Sequence, residues 1–329
     1  MESFNRKSNC GFVIDPDDYH LPVDERWLKK LELNEKIFNA LPEFSIVYFD
    51  LETSGFERDA DILEIAAKFD DLSFHIYATP TRPIHPLASE VTGLTQENGI
   101  LYLNNEPVGS VPLNEALHRF HEFLSSTARP HLLVAHNAPF DMGHLVRAII
   151  RYGMLPNFQN LVGFSDTLTI MKKILPDRKG GELMTLKKLG EDLLHVHGDF
   201  HQALFDVQVL QQLAWEFIPR QMLIQYRKPL IECIIKEINK DRAALILPTL
   251  SSLKGFVSEG MLKRIAEAGI TYSMLYNASK EEDGLLKLLA APDHEKKPIV
   301  TRNKKVLDKI HEYFIKENEE FWKICAMWW

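Results

Sequence analysis

The sequence predicts an α/β fold, a mixed sheet flanked by helices, followed by an all-helical C-terminal subdomain. In the first half of the chain, strand-like apolar runs joined by short turns are followed by strands that alternate with helices, a pattern typical of a mixed sheet. After Pro219 the strand signal fades, and helical spacing continues between proline and glycine breakers. We therefore divide the chain into an N-terminal extension (1–41), an α/β domain (42–218) and a helical subdomain (219–329).

Runs rich in β-branched and aromatic residues predict the strands. We expect strands at 46–52, 62–69, 73–78, 131–135 and near Phe164. Apolar spacing and start signals, such as a proline in the first turn, predict the helices. We expect helices at 114–125, 139–152, 167–174, 184–194 and 202–217. The extension carries a short amphipathic stretch, 25–41, that we expect to pack on the core, and the tail should form about four to six short helices.

The composition favours a folded intracellular protein that is not basic overall. Hydrophobic residues make up 45% of the 329 residues, which is enough for a full core. The 38 basic and 46 acidic residues give a formal charge of −8, whereas non-specific nucleic-acid binders are normally basic, so any such contact must be local. Three scattered cysteines predict a reducing compartment, cytoplasmic, nuclear or both. No apolar run approaches the length of a membrane span, and we expect none.

Four acidic residues and one histidine recur in the order that a metal-dependent phosphodiesterase site requires. Asp50 and Glu52 are two apart on a predicted strand, so they project from the same face. Asp141 follows the next apolar strand and lies near its carboxyl end. His201 and Asp206 are five apart and cannot share a helix face, so we place His201 at the mouth of the helix and Asp206 one turn inside. Carboxylates crowded in this way are stable as anions only if they hold cations, and oxygen ligands select Mg²⁺ first and Mn²⁺ second.

Three segments carry a resemblance to a known family. FDLETSGF (49–56), AHNAPFD (135–141) and HQALFD (201–206) resemble the three motifs of the DEDDh 3′→5′ exonucleases, which belong to the ribonuclease H-like superfamily. VTGLT (91–95) resembles the substrate-side loop of that family, and SDTLTIMKKILP (165–176) resembles its step from strand to helix. The resemblance covers roughly residues 42–218 and implies a ribonuclease H-like fold.

Finer resemblances point to two groups of proteins. The ETSGF wording and the loop that contains Arg178 and Lys179 resemble the three-prime repair exonucleases most. In the tail, residues 258–276 and 298–314 resemble the exonuclease-like region of the longest isoform of the promyelocytic leukaemia protein (PML) and its stand-alone relatives.

The family resemblance also implies a set of functional residues. Two Mg²⁺ ions, for which Mn²⁺ can substitute, would be held by the four carboxylates, and His201 would take a proton from the attacking water. The implied catalytic residues are Asp50, Glu52, Asp141, His201 and Asp206. The implied contacts with nucleic acid are Thr53, Phe56, His136, Asn137, Arg178 and Lys179.

Several of these residues have an alternative, structural interpretation. Phe56 could lie in the core, His136 and Asn137 could hold a turn, and the basic loop could simply be solvated. Asp166 is better explained as a helix N-cap than as a fifth ligand, and Glu64 as a structural residue.

The predicted function is degradation of DNA, preferably from single-stranded or frayed 3′ ends, to nucleoside 5′-monophosphates. The PML-like resemblance implies, by analogy, restriction of cytosolic or retroelement nucleic acid. Two alternatives stay open: a 3′→5′ exoribonuclease, since nothing indicates how the site treats a 2′-hydroxyl, and a catalytically silent binding module. The expected partner is DNA, with RNA as the alternative and no membrane; a homodimer is also open.

Overall fold

The computed structural model describes residues 23–41, 43–127, 129–292 and 296–327. Its described residues form two compact units, which divide between Ile235 and Lys236. We call the part up to Ile235 the sheet unit and the part from Lys236 the helical unit. The first 22 residues of the expected extension lie outside the described residues.

The described strands lie within the sheet unit and are, in chain order, β1 (Ser45–Thr53), β2 (Ile62–Phe69), β3 (Leu72–Ala78), β4 (Leu94–Glu97), β5 (Ile100–Leu103), β6 (Glu106–Val108), β7 (Ser110–Val111), β8 (His131–Ala135), β9 (Leu161–Asp166) and β10 (Lys228–Pro229). The helices are α1 (Glu25–Phe38), α2 (Pro86–Thr92), α3 (Leu113–Ser125), α4 (Pro139–Arg151), α5 (Thr167–Ile174), α6 (Leu186–Leu189), α7 (Ala203–Phe217), α8 (Arg220–Gln225), α9 (Leu230–Thr249), α10 (Glu259–Glu267), α11 (Tyr272–Ser279), α12 (Gly284–Leu289) and α13 (Lys304–Met327).

Among the described residues, the main sheet has seven strands in the order β10-β9-β8-β1-β2-β3-β7. The central strand β1 is antiparallel to β2 and parallel to β8, and β8 is parallel to β9. This confirms the predicted mixed sheet flanked by helices. Because parallel strands end at the same edge of a sheet, the segments that follow β1 and β8 lie next to each other. A second sheet, β4-β5-β6, is antiparallel and packs Leu94 and Leu101 against Leu63.

The sheet unit extends beyond residue 218, where we expected the α/β domain to end. Leu223 of α8 lies in the hydrophobic core with Phe38 of α1. β10 pairs with the edge of β9. The buried Arg227 guanidinium donates to Glu35 on α1, at 2.7 and 2.9 Å, and to the Val162 carbonyl at 2.6 Å. The amphipathic stretch therefore packs on the core, and the residues just after 218 belong to the same packing unit.

Some predicted elements differ from the structure for identifiable reasons. The expected helix 184–194 is broken, because Thr185 has an extended backbone and caps α6 by accepting from the Lys188 N–H. A π-helical turn, Gly190–Leu194, follows it and ends at His195 in the left-handed region. In the tail, α9 and α13 run for 20 and 24 residues and are longer than the short helices we expected.

The helical unit has its own hydrophobic core. Leu262 and Ile265 of α10 and Leu275 of α11 pack there with Phe314 of α13. α10 and α11 are joined by a turn in which Gly269 has a φ of +75°, a conformation that L side chains rarely adopt. None of the described helices is long and apolar enough to cross a membrane.

Candidate active site

The first two candidate ligands project from one face of β1. Asp50 and Glu52 lie opposite Ala66 and Glu64 of β2, and Glu52 is buried. The pairing register shifts between Glu52 and Thr53, an irregularity of the kind that a β-bulge produces, directly after the pair. The period-two alternation predicted from the sequence therefore brings these two carboxylates together.

The third carboxylate is placed by the step from β8 to α4. Asp141 is buried in the first turn of α4, which begins at Pro139 as predicted. Its Oδ1 accepts a hydrogen bond of 3.1 Å from the backbone N–H of Leu51, the residue between Asp50 and Glu52. A hydrogen bond therefore links the second motif, which contains Asp141, directly to the first motif, which contains Leu51.

The last two candidate residues stand at the start of α7. His201 has a φ of +70° and precedes the helix, whereas Asp206 is buried in its first turn. The backbone N–H of His201 donates a hydrogen bond of 3.1 Å to Oδ2 of Asp206. Ala203 and Val207 pack on Ala66 of β2, which holds this end of α7 over the carboxylate face of the sheet.

These residues share one cavity of about 320 Å³. Its lining includes nine of the eleven site residues predicted from the sequence: Asp50, Glu52, Thr53, Phe56, His136, Asn137, Asp141, His201 and Asp206. Arg178 and Lys179 are not among the lining residues. The other described residues that line the cavity are Leu51, Gly55, Ala88, Val91, Thr92 and Phe140.

Burial raises the pKa of every carboxyl group in this cluster, and neighbouring carboxylates add to the effect. Burial, followed by the charge of Glu64, raises the pKa of Glu52 to about 9. Burial raises the pKa of Asp141 and that of Asp206 to about 7. For Asp50, burial and then the charge of Asp141 raise the pKa well above its usual range. The cluster is therefore costly to hold as four anions without a cation.

The donor set fits a hard divalent cation. Glu52, His201 and Asp206 each offer one ligand atom, and these three atoms lie within 4.8 Å of one another. Oδ1 of Asp206 is buried and has no hydrogen-bond partner among the described residues. A buried acceptor left in this way costs free energy unless a cation or another donor meets it. The cluster can thus hold a metal that prefers oxygen ligands.

The histidine of the second motif is held by the protein itself. His136 Nε2 lies 2.7 Å from the Met184 carbonyl and Nδ1 lies 3.0 Å from the Thr167 hydroxyl. Both ring nitrogens therefore have protein partners. Burial lowers the pKa of His136, which keeps the ring neutral.

Asp166 organises the turn that carries Asn137. It caps α5 by accepting from the Leu168 N–H, as predicted, and its Oδ1 also accepts from the N–H groups of Asn137 and Ala138, at 2.9 and 3.2 Å. Asn137 is exposed and has a φ of +66°.

Exposed apolar side chains flank the carboxylates. The Phe56 side chain is 65% exposed, which excludes the alternative that it lies in the core. Val91 of α2, also on the cavity wall, is 44% exposed. The sequence interpretation missed α2, although Pro86 at its first position and Gly93 at its end are start and stop signals.

The wall that includes α2 is anchored to the first motif. The backbone N–H of His85, the N-cap of α2, donates to the Ser54 carbonyl at 2.7 Å. The buried Asp61 side chain accepts from the N–H groups of Thr81 and Arg82, at 2.6 and 3.0 Å. The segment 81–85, which leads into α2, is therefore positioned by residues next to β1 and β2.

Arg178 of the basic loop forms hydrogen bonds within the protein, whereas we expected it to contact nucleic acid. The Arg178 guanidinium donates to the Leu183 carbonyl at 2.6 Å and to the Asp192 carboxylate at 2.6 Å, and it reaches the Lys188 carbonyl. Its side chain is only 18% exposed. Lys179 is exposed. The positive charge of Lys187 acts on His201 and, after burial, helps to lower its pKa below 6.5.

Comparisons with known proteins found relatives of both parts of the chain. A family model described as exonuclease matches residues 47–214, and a model of the PML C-terminal domain matches residues 249–317. The PolC-type DNA polymerase III of Listeria monocytogenes is 32% identical over 185 residues, which are 54% of this chain and 12% of that protein. The PolC-type enzyme of Streptococcus agalactiae is 29% identical over 199 residues, which are 57% of this chain and 12% of that protein.

The chain therefore spans only about an eighth of the length of these relatives. One solved structure, Exonuclease X in complex with 5′ overhanging duplex DNA, matches with 16% identity and a TM-score of 0.37. That match covers 57% of this chain and 99% of the other.

Proposed function

This chain belongs to the exonuclease family, of the DEDDh type within the ribonuclease H-like superfamily, and we propose that it hydrolyses DNA from the 3′ end. The products would be nucleoside 5′-monophosphates. The observation that carries the proposal is the convergence of Asp50, Glu52, Asp141, His201 and Asp206 on one cavity. No residue of the family's catalytic set is replaced, which argues against a silent binding module.

The four carboxylates are the groups that would hold the metal. A cation at this cluster would supply Lewis-acid activation of the scissile phosphate and of the attacking water. We propose Mg²⁺, two ions per site, with Mn²⁺ as a substitute, because carboxylate ligands favour hard ions. Asp141 and Asp206 are each fixed by a backbone N–H, from Leu51 and His201, so the protein positions these two ligands in advance.

His201 is the group that we assign to proton removal. It is exposed at the rim of the cluster, and its lowered pKa keeps the ring neutral at physiological pH. A neutral imidazole can accept a proton from water, whereas the four carboxylates are the groups that would hold the metal.

The shape of the cavity supports a preference for unpaired ends. The exposed Phe56 ring and Val91 offer apolar surface on which a terminal base can pack. Stacking on one aromatic ring is worth about 1 to 3 kcal/mol per base and does not depend on sequence. A blunt duplex must first be unpaired, so we expect single-stranded or frayed 3′ ends to be degraded faster.

The cellular role that we propose is restriction of cytosolic or retroelement nucleic acid. It rests on the likeness of the tail to PML, to which the match at residues 249–317 adds support.

Single-stranded DNA and RNA of matched sequence, incubated with Mg²⁺, Mn²⁺ or EDTA, test the proposed activity. We expect DNA to be degraded to 5′-monophosphates with either metal and to stay intact in EDTA. Faster degradation of RNA would reassign the protein as an exoribonuclease. Binding of either strand without degradation under any condition would reassign it as a binding module.

A further inference from the structure

A fifth carboxylate, which the mechanism above does not use, lies beside the cluster. Glu64 of β2 is directly opposite Glu52 in the register of β1 and β2, and it is only 2% exposed. Residues directly opposite on antiparallel strands project from the same face. The Glu64 side chain therefore stands on the face that carries Asp50 and Glu52.

His75 on the next strand is the partner of this glutamate. Its Nε2 lies 2.7 Å from Oε1 of Glu64. His75 is opposite Ala66 in the pairing of β2 and β3, and its ring packs edge-on against Tyr77, with the ring centroids 4.7 Å apart. The side chain of His75 is 30% exposed, whereas that of Glu64 is 3% exposed. Polar side chains thus run from the carboxylate cluster across three strands toward solvent.

This placement is costly for a purely structural residue. Like charges directly opposite on a sheet are destabilising, and a buried carboxylate is retained only with partners. Glu64 faces Glu52 directly across the pairing of β1 and β2, and its neighbour on the same face, Ala66, faces Asp50, so the Glu64 carboxylate adds negative potential at the cluster. Glu64 is not among the described residues that line the cavity, whereas all four ligand carboxylates are, so it acts on the cluster through the field that it adds.

We propose that Glu64, fixed by His75, is a positioning residue that strengthens cation binding at the adjacent cluster without ligating the cation. The inference rests on the proposed function of that cluster as a cation site. A buried carboxylate beside Glu52 adds negative potential where the cation would sit, and this favours cation binding. The hydrogen bond from His75 keeps Glu64 in place and offsets part of its burial cost.

Glu64→Gln is the variant that tests the charge, because glutamine keeps the shape and can still accept a hydrogen bond from His75. Mn²⁺ binding to the full chain should be measured by isothermal titration and by electron paramagnetic resonance, neither of which depends on catalysis. We expect the dissociation constant to rise about tenfold, as is typical for the loss of an outer-shell partner of a metal ligand. Glu122→Gln, at an exposed position on α3, is the matched control and should bind Mn²⁺ as the unaltered protein does.

His75→Ala tests whether the histidine acts through the glutamate. We expect weaker Mn²⁺ binding in this variant too, and the double variant should bind no more weakly than Glu64→Gln alone, because residues that act as one unit are not additive. The melting temperature in EDTA separates this role from ordinary packing. It should stay unchanged or rise in Glu64→Gln, since a buried repulsion is removed.

Unaltered Mn²⁺ affinity in Glu64→Gln would overturn the inference. So would a fall in the melting temperature in EDTA that accounts for the loss of binding, because Glu64 would then be a packing residue. If the unaltered protein binds Mn²⁺ but cleaves no nucleic acid, the proposed activity fails while the role of Glu64 can still be decided. If it binds no Mn²⁺, both fail.

Discussion

The backbone N–H of Leu51 donates a hydrogen bond of 3.1 Å to Oδ1 of Asp141. This bond joins the strand that carries Asp50 and Glu52 to the helix that carries the third carboxylate, so two motifs that are 90 residues apart share one geometry. Asp141 therefore has two roles that can be tested separately. Its carboxyl group accepts the hydrogen bond that fixes the side chain, and its negative charge is available to a cation.

Asp141→Asn should abolish activity while preserving the fold. The amide oxygen of asparagine can still accept from Leu51, whereas the negative charge that a cation needs is lost. We expect a rate loss of roughly 10³-fold or more, by analogy with removal of a catalytic group. The melting temperature in EDTA should not fall, because a buried charge is removed. Activity within about threefold of the unaltered protein would contradict the assignment of Asp141 as a ligand.

The stability of the metal-free protein should decrease as pH rises. The folded-state pKa values of Asp141 and Asp206 are raised from 3.8 to about 7, and that of Glu52 from 4.5 to about 9. At pH values between the unfolded-state and folded-state pKa of each group, the folded protein therefore binds more protons than the unfolded protein. The free energy of unfolding falls as pH rises through this range, up to the folded-state pKa values of about 7 and about 9.

Thermal unfolding in EDTA and in saturating Mn²⁺, at pH values from 5 to 8.5, measures this effect. The gain in melting temperature from the metal should grow with pH, because the ligands are then anionic and the metal does not compete with protons. In Asp206→Asn, the gain in melting temperature from Mn²⁺ should increase less with pH. An equal gain at both ends of the pH range would show that the cluster does not bind the cation.

His201→Ala should lower the rate by about 10² to 10⁴, the usual cost of losing a general base, and leave Mn²⁺ and single-strand binding detectable. In the unaltered protein the rate should rise with pH through a pKa below 6.5 and then level off, because burial and Lys187 favour the neutral ring. Lys187→Ala should move that midpoint to higher pH. If His201→Ala keeps half of the activity, the histidine has another role.

Arg178 and Lys179 should respond differently to substitution, although the sequence presents them as one basic pair. Arg178→Ala removes hydrogen bonds to the Leu183 carbonyl and the Asp192 carboxylate, so we expect the melting temperature to fall by several degrees. Lys179→Ala should leave stability unchanged. It should also flatten the salt dependence of binding to a fluorescent single strand by about one unit in log-log terms, if it meets one phosphate. Identical salt slopes would remove the loop from the proposed contact surface.

Local patterns predicted much of the fold and of the cluster. Alternation along β1 placed Asp50 and Glu52 together, and the cap preference of aspartate identified Asp166 at the start of α5. These features depend on neighbours a few residues away, where sequence and geometry are closely linked.

Features that depend on contacts across the fold could not be predicted in this way. The partners of Arg178 come together only because the segment after α5 folds back on itself, and the pairing of Glu64 with His75 depends on the register of β2 and β3. The small sheet was missed because its strands are only three or four residues long, although Asn98 and Gly99 form a strong hairpin signal.

Cleavage of a single-stranded DNA labelled at its 5′ end, compared with a circular strand of the same sequence, tests the central claim most directly. In Mg²⁺ the linear strand should shorten progressively from its 3′ end and release 5′-monophosphates, whereas the circle, which has no end, should persist; EDTA or Asp206→Asn should stop the reaction. Cutting of the circle, loss of the 5′ label as the first product, or full cleavage in EDTA would contradict a metal-dependent 3′→5′ exonuclease.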